Sequence, residues 1–269
     1  MLIDAHAHVD RYEDDLRFAL EEITEHGIFT LSNSMDLSSY RRNQEIAQMC
    51  PLVWPAFGVH PWNAPECVEH LEQFGDVMAQ SLMFGEIGLD HHFVEDASQY
   101  PAQREVLEFF LAEAKEQDKL VNLHTKAAEG EILHLLDVYD IHRAIVHWYS
   151  GPVDIFHQLI QRGAYFTVGV ELLYSEHIKA LARALPAELL LTETDNPGGL
   201  RWLTGSPGMP LVVRDVVGAL AELRGTSVGD IIETVQCNFQ RLIGDDPLLS
   251  RRYTSILERE RDSTEQPLC

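Results

Sequence analysis

The chain has few cysteines, no long apolar run and little positive charge. Its four cysteines, Cys50, Cys67, Cys237 and Cys269, are scattered. None forms a Cys-x-x-Cys pair, so neither a zinc knuckle nor a disulfide framework is expected. No apolar run approaches the roughly 20 residues that a membrane-crossing helix needs. No signal peptide is expected before Asp4. These absences predict a cytoplasmic protein in a reducing compartment, with no membrane partner. Lys and Arg number 20 against 43 Asp and Glu, a net charge of −23. Such a chain does not adhere non-specifically to nucleic acid or to anionic membrane. Most of the acid excess belongs on solvated helix faces, for example at Glu13, Asp14, Asp15, Glu21, Glu22 and Glu25.

What the chain does have is histidine, thirteen in all, and 45% hydrophobic residues within a length of 269. That length suits a (β/α)8 barrel, which typically takes about 250 residues. The most informative stretch is Leu2-Ile3-Asp4-Ala5-His6-Ala7-His8. Its apolar start suits a buried strand, and its two histidines are spaced i, i+2. In a strand they share one face, with stems roughly 6–7 Å apart at about 3.3 Å per residue. That is close enough for both rings to converge on one ion. On a helix the same spacing does not place side chains face to face.

In order, strands are predicted over 2–8, 28–31, 52–60, 82–90, 120–124, 144–147, 165–168 and 189–195. Helices are predicted over 12–26, 38–49, 67–80, 99–117, 129–139, 153–162, 175–185, 211–223 and 228–242, with Ser38 or Ser39 as the cap of the second. A Gly/Pro-rich loop covers 196–210. Eight apolar runs alternating with helical patterns imply parallel strands joined by right-handed crossovers. The fold class is therefore α/β, a (β/α)8 TIM barrel over 1–244, followed by a C-terminal tail, 245–269, with no assigned structure.

In such a barrel active sites lie at the carboxyl ends of the strands. His6 and His8 fall there on the first strand, Glu86 on the fourth, His124 on the fifth, His147 on the sixth and Asp195 on the eighth. A carboxylate at position 86, in an apolar strand, is costly unless paired or bound to metal. Nitrogen and carboxylate ligands without cysteine suit Zn, Mn, Mg, Fe or Ni. Six ligands exceed the needs of one tetrahedral ion. Two divalent ions sharing a bridging carboxylate account for them.

Six motifs in order, Asp4-Ala5-His6-Ala7-His8, Gly58-Val59-His60-Pro61, Gly85-Glu86-Ile87-Gly88-Leu89-Asp90, Leu123-His124-Thr125-Lys126, Val146-His147-Trp148-Tyr149-Ser150-Gly151 and Glu193-Thr194-Asp195-Asn196-Pro197, give the chain a resemblance to the TatD family of metal-dependent deoxyribonucleases. The resemblance implies that His6, His8 and Asp195 hold one ion, His124 and His147 the other, and Glu86 bridges them. It implies a phosphodiesterase or deoxyribonuclease of 3′–5′ exonuclease type, with DNA as substrate. A metal-bound hydroxide would attack phosphorus in line, with Asp195 orienting the water and taking its proton. His60 and Lys126 are candidate contacts to phosphate oxygens. Glu193 either supports a ligand or forms a plain ion pair. His91 and His92 either line the pocket or add a further ligand, or else are solvated loop residues.

The chain departs from the family pattern at Asn196-Pro197-Gly198-Gly199, Lys126, Trp148-Tyr149 and His91-His92. These positions face substrate, not metal. A rival reading keeps the two-ion site but gives it a small ester, lactone, amide or aminoacyl bond, which the acidic net charge favours. A binding module without turnover is a further alternative. A monomer or a small homo-oligomer is expected.

Overall fold

The computed structural model describes residues 1–264. Among them are eight strands: β1 (Leu2–Ala7), β2 (Ile28–Asn33), β3 (Val53–Ala56), β4 (Phe84–Asp90), β5 (Val121–Lys126), β6 (Ala144–Val146), β7 (Tyr165–Val168) and β8 (Leu190–Thr192). All paired neighbours are parallel, in the orders β1-β2-β3 and β4-β5-β6-β7-β8. Nearly every strand residue is buried, as expected where side chains meet helices outside and other side chains inside.

Individual hydrogen bonds join the two sheets at both seams. Phe57 N donates to Met83 O and Gly85 N to Phe57 O, at 3.1 and 2.9 Å. Glycine at 58 permits this approach, because a Cβ there would lie 2.4 Å from Glu86 O. At the other seam, Asp195 N donates to His6 O and His8 N to Asn196 O, both at 2.9 Å. The buried Asp4 carboxylate adds a clasp, accepting from Thr194 N at 2.9 Å and Thr194 Oγ1 at 2.6 Å. The result is a (β/α)8 TIM-type barrel.

Several expected elements differ in detail. The segment expected as helix from 12 opens as a 3-10 turn, Val9–Asp15, before the α-helix Leu16–Glu25. The next helix, Leu37–Met49, is capped by Asp36, which accepts from Ser39 N at 2.8 Å, and not by either serine. The third strand ends at Ala56, because Phe57 turns to pair with Phe84 across the seam. The helix expected over 67–80 is broken into Ala64–Cys67, the 3-10 segment Val68–Phe74 and Gly75–Gln80, with His70 outside helical angles. The 196–210 loop contains a helix, Gly198–Thr204, stopped by Gly205 at φ +83°.

Past Gly244 the chain forms a helix, Pro247–Thr264. Its Tyr253 is buried, with ring centroids 5.1 Å from both Phe29 and Phe239 and 6.4 Å from Trp54. Phe29 and Trp54 lie near the amino ends of β2 and β3, so this helix packs at the end of the barrel opposite the site. Cys50, Cys67 and Cys237 are free thiols; Cys269 lies outside the described residues. Among the described residues no helix is long and apolar enough to cross a membrane.

Candidate metal centre

The barrel brings all six expected ligands to one point at the carboxyl ends of its strands. His6, His8, Glu86, His124 and His147 are buried, and the Asp195 side chain is 20% exposed. The two oxygens of Glu86 divide the set. Oε2 lies 3.4 Å from His6 Nε2 and 3.2 Å from His8 Nε2. Oε1 lies 2.7 Å from His124 Nδ1 and 2.8 Å from His147 Nε2. Asp195 Oδ1 stands 3.6 Å from His6 Nε2 and 3.2 Å from His8 Nε2. Asp195 has φ +53°, a left-handed conformation that Asp tolerates better than most residues.

An oxygen acceptor stands behind each candidate ligand imidazole, and for His6, His8 and His124 it is within hydrogen-bond reach and assigns the proton. Asn122 Nδ2 donates to Ala5 O at 2.9 Å, which turns Oδ1 toward His6 Nδ1 at 3.0 Å. His8 Nδ1 donates to Asn33 O at 3.0 Å. His124 Nε2 donates to Asp90 Oδ2 at 3.1 Å. His147 Nδ1 faces Glu193 Oε2 at 3.5 Å, and Glu193 is itself held by Thr167 Oγ1 and Trp148 N at 2.6 and 2.9 Å. With the outer nitrogens of His6, His8 and His124 protonated, their inner ones direct lone pairs at Glu86 and Asp195. His6 Nε2 is buried with no hydrogen-bond partner. Lone pairs aimed at carboxylates repel unless positive charge lies between them, so this donor set fits divalent cations.

His60 differs. Its Nε2 lies 3.4 Å from Glu86 Oε1, and distance alone groups it with Glu86 and His124. Its Nδ1, however, accepts from Trp62 N at 3.2 Å. The neutral ring therefore carries its proton on Nε2 and points a donor, not a lone pair, into the site. Burial pushes the His60 pKa down to about 4 despite Glu86 nearby, which keeps the ring neutral.

The charges around Glu86 act in the opposite sense on the other groups. Burial alone would raise the Glu86 pKa, but the imidazoles packed around it hold it well below the usual carboxylate range. Burial would lower His147, yet Glu86 and Glu193 raise it to about 10. Two carboxylates thus call for positive charge at this position.

Lys126 donates to Trp148 O at 2.7 Å and Ser150 Oγ at 3.1 Å, and burial lowers its pKa. It is a tethered cation in the wall, not a mobile one. His91 stacks on Tyr100 at 3.8 Å, whereas His92 lines the cavity. That cavity, of about 680 Å³, opens over the cluster. Asp90, Asn122 and Asp4 join the site beyond the residues expected from the sequence. The available signal was a buried-type polar residue inside an apolar strand, as in Leu120-Val121-Asn122-Leu123.

A family model described as TatD related DNase matches residues 3–244. The chain belongs to the TatD family. It is 25% identical over 243 residues to an uncharacterized metal-dependent hydrolase of Methanocaldococcus jannaschii, covering 88% of this chain and 94% of that one. It is 24% identical over 263 residues to the deoxyribonuclease TATDN3 of Homo sapiens, covering 90% and 94%. The crystal structure of YjjV, a TatD homologue from Escherichia coli K12, superposes with a TM-score of 0.81 at 25% identity, covering 90% and 97%. The protein is a metal-dependent hydrolase acting on ester bonds, and its buried His, Glu and Asp groups are suited to divalent metal.

Proposed function

We propose that this TatD-family protein is a phosphodiesterase acting on DNA, a deoxyribonuclease of 3′–5′ exonuclease type that uses two divalent ions in the cytoplasm. The observation that carries the reading is the division of labour at Glu86, one oxygen toward His6 and His8, the other toward His124 and His147. His6, His8 and Asp195 would hold one ion, His124 and His147 the other, with Glu86 between; Mg, Mn, Zn, Fe and Ni all suit these donors. When bound, such a pair activates water and neutralises charge on a phosphodiester. Asp195, the most exposed of the ligand carboxylates, takes the proton from the attacking water. The Nε2–H of His60 donates to a phosphate oxygen. Lys126 supplies a fixed charge at the wall. The similarity to a human protein named a deoxyribonuclease supports the substrate class.

The acids Glu13, Asp14 and Asp15 on the cavity's rim favour the second reading, a small ester, lactone, amide or aminoacyl bond. Time courses with 5′- and 3′-labelled DNA strands, RNA, lactones and aminoacyl esters, each with Mg, Mn or Zn, separate the two. Stepwise release of mononucleotides from 3′ ends is the expected result. Turnover of the small esters alone replaces the first reading with the second.

A further inference from the structure

Three large aromatic side chains remain exposed at the cavity, and none of them is a candidate metal ligand. Trp62 is 48%, Phe93 40% and Trp202 69% accessible. They form a continuous series, with Trp62 and Phe93 centroids 6.2 Å apart and Phe93 and Trp202 centroids 5.1 Å apart, each pair edge to face. All three line the cavity. Contiguous exposed apolar surface of this kind marks a binding surface more often than isolated exposed residues do.

The series is fixed to the metal cluster through one carboxylate. Asp90 Oδ2 accepts from Trp62 Nε1 at 2.6 Å, and Oδ1 accepts from Phe93 N at 2.8 Å. The same Oδ2 lies 3.1 Å from His124 Nε2. Trp62 also packs edge-on against His60, at 4.6 Å between centroids. A ligand on this wall therefore sits at a set distance from the donor of His60 and from Glu86.

We infer that Trp62, Phe93 and Trp202 form a stacking wall that holds an unpaired nucleobase while the attached phosphate lies over the metal cluster. The inference rests on the phosphodiesterase reading. Aromatic faces recognise the face of any base, and a base already paired and stacked in a duplex has no free face to offer. The cavity, about 680 Å³, is within the roughly 300–1,000 Å³ range of pockets that enclose a small ligand.

Indole fluorescence of the full chain, with Mg present, is titrated with deoxyadenosine 5′-monophosphate and with deoxyribose 5-phosphate, which lacks the base. The nucleotide is expected to bind about tenfold tighter or more. Trp202→Ala and Phe93→Ala should each remove most of that difference, and Trp202→Phe should keep it. Retention of cation-dependent thermal stabilisation in all three variants shows that fold and cluster survive. Equal affinities in the wild type, or a base-dependent difference that survives both alanine variants, overturn the stacking wall. A wild-type protein that binds the base yet cleaves no strand, under any of the metals above, refutes the phosphodiesterase reading and leaves the wall standing.

Discussion

Asp90 Oδ2 and His124 Nε2 stand 3.1 Å apart, both groups buried. The contact places the imidazole proton on Nε2 and leaves Nδ1 to face Glu86 Oε1 at 2.7 Å. Burial would raise the Asp90 pKa, but the bonds from His124, Phe93 and Trp62 hold it well below the usual carboxylate range. A carboxylate behind a ligand imidazole sets its tautomer and basicity. Asp90→Asn is therefore expected to weaken metal affinity or turnover by about 10–100-fold. Calorimetric titration with Mn measures the first, and an unchanged isotherm would remove Asp90 from this role.

His60 should be separable from the ligands. Because its Nδ1 accepts from Trp62 N, His60→Ala should keep the full metal content of the wild type while slowing phosphodiester cleavage by at least about tenfold. His6→Ala should lose bound metal. Elemental analysis of both proteins after dialysis distinguishes them. Loss of one ion from the His60 variant would make it a ligand.

Asp195→Asn should abolish most turnover, by about 10²–10⁴-fold, the usual worth of a positioned acid–base group. The backbone bond from Asp195 N to His6 O at 2.9 Å does not involve the side chain, so the fold is expected to persist. Circular dichroism and initial rates on labelled DNA report the two effects. A wild-type rate would assign the base elsewhere.

Removing divalent ions should destabilise the whole barrel. The candidate ligands come from β1, β4 and β5 and from the chain just past β1, β6 and β8, so cations would tie distant strands together. At a free concentration about 100 times Kd, one bound ion adds about 2.7 kcal/mol. For a domain approaching this size, each kcal/mol shifts Tm by about 2–4 °C. Thermal scans with EDTA and then with excess Mn should differ by several degrees. The shift should shrink sharply in Glu86→Gln, which removes the carboxylate shared by both halves of the site.

The barrel's plan and the chemistry at its rim are legible in the order of residues alone. Apolar runs such as Leu2-Ile3 and Ala144-Ile145-Val146 bury only in strands that are covered on both sides. Histidines and acids at the ends of such runs have one open side on which to gather. That logic is local: period, burial and the position of a polar residue within an apolar run. It therefore identified His6, His8, Glu86, His124, His147 and Asp195 together.

Only the tertiary structure decided what stands behind each of those side chains. Asn122 reaches His6, Asn33 O reaches His8, and Glu193 reaches His147, each from a different strand or strand end. The same holds for His60, whose role depends on a proton placed by the amide of Trp62. The helix Pro247–Thr264 was hidden by its mixed charge, since Tyr253 is buried only against Phe29, Trp54 and Phe239. The aromatic series likewise joins residues from three separate segments, beyond β3, β4 and β8. Hydrogen-bond direction and side-chain contact belong to pairs of residues, and a linear chain does not state which pairs will meet.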